Sequence, residues 1–313
     1  METIKFKNIQ CLLAIFLLVF SVSCEKGTDG TIKYEAFANT EAGKSLVEKT
    51  SLIATVFSDS TYSLENGVDV TEIHYFSMKG YSMKLFALEI NLSNADISVE
   101  VTTPNNKKDF GFQQMTRQAI YENSDNHQVL AGVNGDFFNT TTGVPNGILY
   151  KDGAMIKNYT GANANFFAIL NDKTAVIGDN IKLEEVRNDI QEGLGGGVRL
   201  VKGGILASQT DESVNPRTCI GVNETGTKVI ILEIDGRNYH YSNGMTYEEL
   251  GQCMLALGAY DALNLDGGGS STFFIRDNEN IGNFILRNWP SDNGGKERAV
   301  ANGIIAVSYT HLR

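Results

Sequence analysis

Asn264-Leu265-Asp266-Gly267-Gly268-Gly269-Ser270-Ser271 separates two apolar runs, residues 262–265 and 272–275. A run that ends in an acid and three glycines before a second run begins reads as two strands joined by a bare backbone turn. Side chains alternate along a strand, so Asn264 and Asp266 share one face while Leu263 and Leu265 point into a core. The glycines let a ligand or another strand come close to the main chain. Two other places repeat this device. The apolar run 129–133 leads into Asn134-Gly135-Asp136-Phe137-Phe138, and the run 229–234 leads into Asp235-Gly236-Arg237 with Glu233 two residues before the acid. Asp-Gly is a common turn pair. A turn does not, however, require a second polar residue on the same face, and three such ends point to a shared site. The expectation is that these strands lie in one sheet and that Asp136, Asp235 and Asp266 converge on one pocket with Asn134 and Asn264.

Working outward, strand patterns fall at 52–57, 83–92, 96–101, 147–150, 165–170, 175–177, 198–201, 218–222, 228–234 and 302–307. Two helices stand out. One covers 112–122, with Phe112, Met115 and Ala119 on one side. The other begins at the capping box Thr246-Tyr247-Glu248-Glu249 and stops at Gly258. Strands dominate and helices are few, so the pattern predicts an α+β fold: a strand-rich single domain with a mixed sheet and a few flanking helices. Residues 51–80 show mixed patterning and read as an N-terminal extension. The main domain is expected over 81–307, with a tail at 308–313.

The chain has 313 residues, enough for a substantial core, and a formal net charge of −11. That balance argues against a nucleic-acid partner, whose phosphates need a basic face. It leaves room for one small phosphate held by a few arginines. Lys5 and Lys7 precede a nearly unbroken apolar run at 9–22, too short for a comfortable membrane span. Ser21-Val22-Ser23-Cys24 then resembles a bacterial lipoprotein cleavage box. This predicts a signal peptide at 1–23, a lipidated Cys24 and a polar tether at 24–50. The protein would be an exported lipoprotein of the outer membrane, held by its lipid alone and facing periplasm or cell surface; a plain secreted or periplasmic protein is the alternative. Of the other cysteines, Cys253 falls with Leu250, Met254 and Leu257 on the core face of the second helix, and Cys219 lies in an apolar strand. Both read as small core residues, although a disulfide between them is open outside the cytoplasm.

Asn134-Gly135-Asp136-Phe137-Phe138, Pro216-Arg217-Thr218, Asp235-Gly236-Arg237, the run 264–272 and the closing Arg298-Ala299-Val300-Ala301-Asn302 together resemble the phosphodiester glycosidase family, in the family's order from about residue 81 to 307. That family includes the enzyme that removes a capping N-acetylglucosamine from mannose 6-phosphate on lysosomal proteins. One departure is visible. After Gly195-Gly196-Gly197 the family usually has a proline-leucine pair, and here Val198-Arg199 follows. The resemblance implies a hydrolase that cleaves the glycosidic C–O bond of a sugar-1-phosphodiester, giving free sugar and a phosphomonoester. Its partner would be a phosphorylated or phosphodiester-linked carbohydrate. The rival readings are a non-catalytic glycan-binding lipoprotein and a phosphodiesterase that cuts the P–O bond.

The residue inventory suits such chemistry. Glycoside cleavage passes through an oxocarbenium-like transition state that two carboxyl groups usually manage. Asp136 and Asp266 are the preferred pair, with Asp235 third. A phosphate leaving group needs cations and amides to hold it, and arginine's planar fork can pair two phosphate oxygens. Arg217, Arg237 and Arg298 are candidate holders. Asn134, Asn264 and Asn302 can bond sugar hydroxyls or orient the acids. Gly267, Gly268, Ser270 and Ser271 offer backbone N–H groups to an oxyanion. The glycine loop lacks the lysine and spacing of a nucleotide P-loop, and Ser270 is not in a nucleophile elbow. His74, His127 and His240 show no metal spacing. No cofactor is required by the pattern, though three acids with nearby carbonyls can take calcium or magnesium.

Overall fold

A computed structural model of the chain describes residues 36–309 apart from 160, 162, 163, 281 and 293. The export segment and Cys24 lie outside the described residues. The elements are α1 (Glu41–Lys49), β1 (Ile53–Glu65), β2 (Val68–Ser77), β3 (Ser82–Asn91), β4 (Ile97–Thr102), α2 (Met115–Glu122), β5 (His127–Asn134), β6 (Leu149–Lys151), β7 (Ala154–Lys157), β8 (Asn165–Leu170), β9 (Ala175–Gly178), α3 (Asn180–Val186), β10 (Ile190–Gly196), β11 (Arg199–Lys202), β12 (Ile205–Leu206), β13 (Arg217–Val222), β14 (Lys228–Ile234), α4 (Tyr247–Ala256), β15 (Asp261–Asn264), β16 (Phe273–Arg276), β17 (Phe284–Leu286) and β18 (Gly303–Tyr309).

The strands make three sheets: β1-β2-β3-β14-β13-β15-β11-β12, β7-β6-β10-β8-β9, and β17-β16-β5-β18-β4. Every strand pairing among the described residues is antiparallel. The expected α+β class with a mixed sheet is therefore corrected to a mostly-β fold. Parallel neighbours need long crossover connections, usually helical, and the four α-helices among the described residues are too few to supply them. They lie on the outside instead. Residues 51–80 are not set apart in space: β1 and β2 continue the eight-stranded sheet next to β3. Part of the stretch read as tether is α1.

Period-two alternation explains the layers. On β3, Phe86, Leu88 and Ile90 face one cluster, while Leu85 and Ala87 face another. On β14, Val229 and Ile231 take the first side, and Ile230, Leu232 and Ile234 the second. The first cluster lies between the large sheet and the two smaller ones. It joins Val99, Val133, Phe167, Leu194, Phe273 and Ile304. Across it Phe86 of β3 stacks on Phe273 of β16 with ring centroids 5.5 Å apart, worth about 0.5–1.5 kcal/mol beyond their buried area. The second cluster sits under α1 and α4. It contains Cys219 and Cys253, both buried and free. A third packs α3 on β6 and β8, and a fourth packs α2 on β5 and β18. α4 starts as the sequence predicts. Thr246 Oγ1 accepts from Glu249 N, and Glu249 Oε2 accepts from Thr246 N at 2.9 Å. This packing brings the ends of β5, β10, β13, β14, β15 and β18 toward one seam between the sheets.

Candidate active site

The seam is stitched by backbone groups. β5 ends at Asn134 and β15 at Asn264, in different sheets, so the expectation of a single sheet is not met. The two ends nevertheless meet: Asp266 N donates to Gly135 O at 2.9 Å, and Asn134 Nδ2 donates to Asp266 O at 2.6 Å. Asn134 Oδ1 accepts from Thr218 Oγ1 at 2.8 Å and from Thr272 N at 3.0 Å. Asn134 is fully buried, with both polar ends bonded to protein, an arrangement that suits orienting the acids more than contacting a sugar. Asn302 acts from the third side. Its Oδ1 accepts from Asp136 N at 2.8 Å, and its backbone oxygen accepts from Gly135 N at 3.0 Å.

Asp136 is 2 % exposed. Its Oδ2 accepts from Gly147 N at 2.6 Å. Gly147 and Gly195 close over it, and a Cβ on either would stand 2.5 Å from the other's Cα; only glycine fits this approach. Burial pushes the Asp136 carboxyl up to about 7, opposed by its bonds to Gly147 and Phe137 amides and by the Lys157 charge, and reinforced by Asp266. Asp266 is half-buried. Burial raises it too, but the Ser270 hydroxyl, the Gly267 N–H and the Arg298 charge favour its ionised form. Burial thus raises both carboxyls: Asp136 is sealed and reaches about 7, whereas Asp266 is more open and has a hydroxyl, an amide and a guanidinium that oppose its rise. Around them Asp136 Oδ1, Asn264 Oδ1, Ser271 Oγ and Asn302 Nδ2 are buried without a hydrogen-bond partner. Such atoms are uncommon in native structures, and a hydroxylated ligand can satisfy them.

Asp235 stands apart from this pair. It accepts from Trp289 N at 2.9 Å and from Asn288 Nδ2 at 3.2 Å, and it neighbours fully buried Glu233. Burial raises both carboxyls, and the Asp235 charge raises Glu233 further. Asn288 links this second nest to the first, because its Nδ2 also reaches Ser271 O at 3.1 Å. The arginines divide as well. Arg217 is buried, donates to Met245 O and Ser213 O at 3.1 and 2.7 Å, and lies 3.8 Å over the Tyr247 ring; its guanidinium is committed to the fold. Arg237 and Arg298 are 48 % and 38 % exposed and flank the glycine loop. Arg298 Nη1 donates to Ser270 Oγ at 3.1 Å, and Arg237 Nη2 to Asn215 Oδ1 at 2.9 Å. Both guanidiniums also meet Asp292. The loop amides are largely occupied. Gly267 N bonds Asp266 Oδ1, Gly268 N bonds Pro216 O, and Ser270 and Ser271 N bond back within the turn. The half-exposed guanidiniums of Arg237 and Arg298 are thus more available to an anion than the loop amides are.

The sequence reading missed Lys157, Asn288, Asp292 and Trp289. Lys157 Nζ donates to Gly147 O at 2.7 Å, beside the Asp136 contact. Trp289, the chain's one tryptophan, is 46 % exposed at the seam. A lone tryptophan after a polar residue, Asn288, was the available signal. Among the described residues no three His, Cys, Asp or Glu side chains gather to hold a metal ion.

Comparison with known proteins agrees with the geometry. The family model for phosphodiester glycosidase matches residues 127–307. The bovine N-acetylglucosamine-1-phosphodiester alpha-N-acetylglucosaminidase is 27 % identical over 203 residues, covering 58 % of this chain and 36 % of the relative. The human enzyme of that name is 28 % identical over 180 residues, 51 % of this chain and 33 % of the relative. The SPbeta prophage-derived uncharacterized protein YomE of Bacillus subtilis is 29 % identical over 261 residues, 80 % and 37 %. The chain spans about a third of the length of these curated relatives. In structure it resembles the zebrafish enzyme's catalytic domain, described as auto-inhibited by its pro-peptide, with TM-score 0.59 and 20 % identity over 82 % of this chain and 89 % of that one. At that identity the likeness speaks for the fold.

Proposed function

This chain belongs to the phosphodiester glycosidase family, and from that membership we propose that it hydrolyses the C–O bond between a sugar's anomeric carbon and a phosphodiester oxygen. The observation that carries the reading is the meeting of Asp136 and Asp266 past the strand ends of two sheets, Asp136 sealed and raised to about 7, Asp266 more open with donors that oppose its own rise. Asp266, half-open and bonded by Ser270 and Gly267, takes the role of base or nucleophile at the anomeric carbon. Asp136 supplies the proton-holding partner, and its neutrality keeps two negative charges from facing each other. Arg237 and Arg298 hold the departing phosphate, which leaves readily and asks little of an acid. Trp289 offers an apolar face beside the seam for a sugar ring. Because the bovine and human relatives are named for an N-acetylglucosamine-1-phosphodiester, that sugar is the first substrate to try. Export and lipidation at Cys24 remain part of the proposal. Among the described residues no helix is long and apolar enough to cross a membrane.

Hydrolysis of N-acetylglucosamine-1-phosphodiester in ¹⁸O-water tests the bond that breaks. The phosphomonoester should stay unlabelled at early times, and the label should enter the sugar. Label in the phosphate would mean attack at phosphorus and would end this reading.

A further inference from the structure

Asp292 is the feature that the reaction does not use. It lies on the loop between Trp289 and Arg298 and forms an ion pair with Arg298, while its Oδ1 stands 3.9 Å from Arg237 Nη1. Gly269 lies directly beneath: a Cβ there would fall into the Asp292 carboxylate and the Arg298 guanidinium. A Cβ on Gly268 would meet Arg237 Nη2 at 2.9 Å. The two arginines and the acid are therefore packed as a trio onto the glycine turn that follows Asp266. An anion drawn to the two guanidinium groups meets a carboxylate already in place.

Charge decides what such a trio favours. Two guanidiniums and one carboxylate carry a net charge of one positive unit. Asp266, bridged to Arg298 through Ser270, adds negative charge on the same side. A phosphodiester carries a single negative charge, whereas a phosphomonoester carries nearly two above its second ionisation at about pH 6. Each additional negative charge brought beside Asp292 meets repulsion that is weakly screened at this range. We propose that Asp292 sets the charge selectivity of the Arg237–Arg298 anion site, favouring a singly charged phosphodiester over a doubly charged phosphomonoester. This rests on the reading that these arginines hold phosphate. Its consequence for a hydrolase is direct: the substrate is a diester and the product a monoester, so Asp292 speeds product departure.

The test uses the intact protein and two probes at pH 8, dimethyl phosphate as the diester and methyl phosphate as the monoester, titrated by phosphorus NMR. Wild type should bind the diester at least as tightly as the monoester. Asp292→Asn should gain about tenfold for the monoester and under about threefold for the diester, the difference expected when one like charge is removed a few ångströms away. Thermal melting confirms that the variant is folded, and Asp292→Ser must move the ratio the same way. A parallel loss for both probes would show that Asp292 merely aims the arginines and would overturn the proposal. So would a wild type that already prefers the monoester by about tenfold, or one that binds neither probe. If charge selectivity holds while no sugar phosphodiester is cleaved, the enzymatic reading fails alone; if cleavage holds while selectivity does not change in Asp292→Asn, this proposal fails alone.

Discussion

Replacing Asp136 by asparagine should make the protein more stable at alkaline pH. The Asp136 carboxyl is 2 % exposed, and burial moves it from 3.8 to about 7. A carboxyl raised in the folded state contributes stability that is fully present below its unfolded value and is lost as pH rises through its folded value. For Asp136 that window runs from 3.8 to about 7. Each unit is worth about 1.4 kcal/mol, and integrating the proton linkage from pH 5 to pH 8 gives about 2–3 kcal/mol. Asparagine is nearly isosteric, can accept from Gly147 N, and carries no charge to bury. Urea unfolding of wild type and Asp136→Asn at pH 5 and pH 8 measures the effect as a difference of differences. Other buried acids, such as Glu192 and Asp235, titrate in both proteins and largely cancel. Relative to wild type, the variant should be more stable at pH 8 than at pH 5 by roughly 2–3 kcal/mol, while losing hydrolysis. A stability gap that does not change between the two pH values, or that moves in favour of wild type at pH 8, would show that Asp136 is already ionised in the fold and would remove it as the protonated partner.

Two further outcomes check the fold and the division of the arginines. Thr246→Ala removes the side-chain acceptor of the α4 capping box and should cost about 1 kcal/mol of stability, read by urea midpoint; no change would mean that α4 is held by packing alone. Arg217→Ala, which strips the Tyr247 stack, removes the donor to Ser213 O and leaves Met245 O with Asn215 N alone, should cost about 2–4 kcal/mol and not be restored by lysine. Arg237→Ala should stay within about 1 kcal/mol of wild type and raise KM instead; the opposite pattern would reverse their roles.

The acids were legible because a strand's period is two. Asn134 with Asp136 and Asn264 with Asp266 stood out by spacing after apolar runs; in the structure both acids lie just past the strand ends, and hydrogen bonds join the two loops. Apolar runs such as 165–170 and 228–234 reappear as β8 and β14 for the same reason. The direction of pairing was not legible, because alternation records which face is buried and carries no trace of whether the neighbour runs parallel. That is why the mixed sheet was expected and an antiparallel fold found. β10 was hidden by its own composition: Glu192-Gly193-Leu194-Gly195-Gly196 reads as a turn, yet its glycines serve close packing against Gly147 and Leu263. Arg217 looked like Arg237 on paper. What separates them is Tyr247, thirty residues further along the chain, and no local pattern shows that contact.

Asn134 and Asp266, joined by one hydrogen bond, are 132 positions apart; Asn134 ends a strand of one sheet, and Asp266 follows a strand of another. Nothing short-range holds that bond; it forms only when two separately hydrogen-bonded surfaces come to rest against each other. Contacts of such sequence separation are slow to form, because the loop must close before the contact rewards it. The reactive constellation is thus completed by the docking of the sheets and not by the growth of either. A chain with all its strands formed but its layers slightly splayed would look native to a measure of secondary structure and would have no paired carboxyls. Under the proposed function, turnover is the finest available gauge of how the layers are seated.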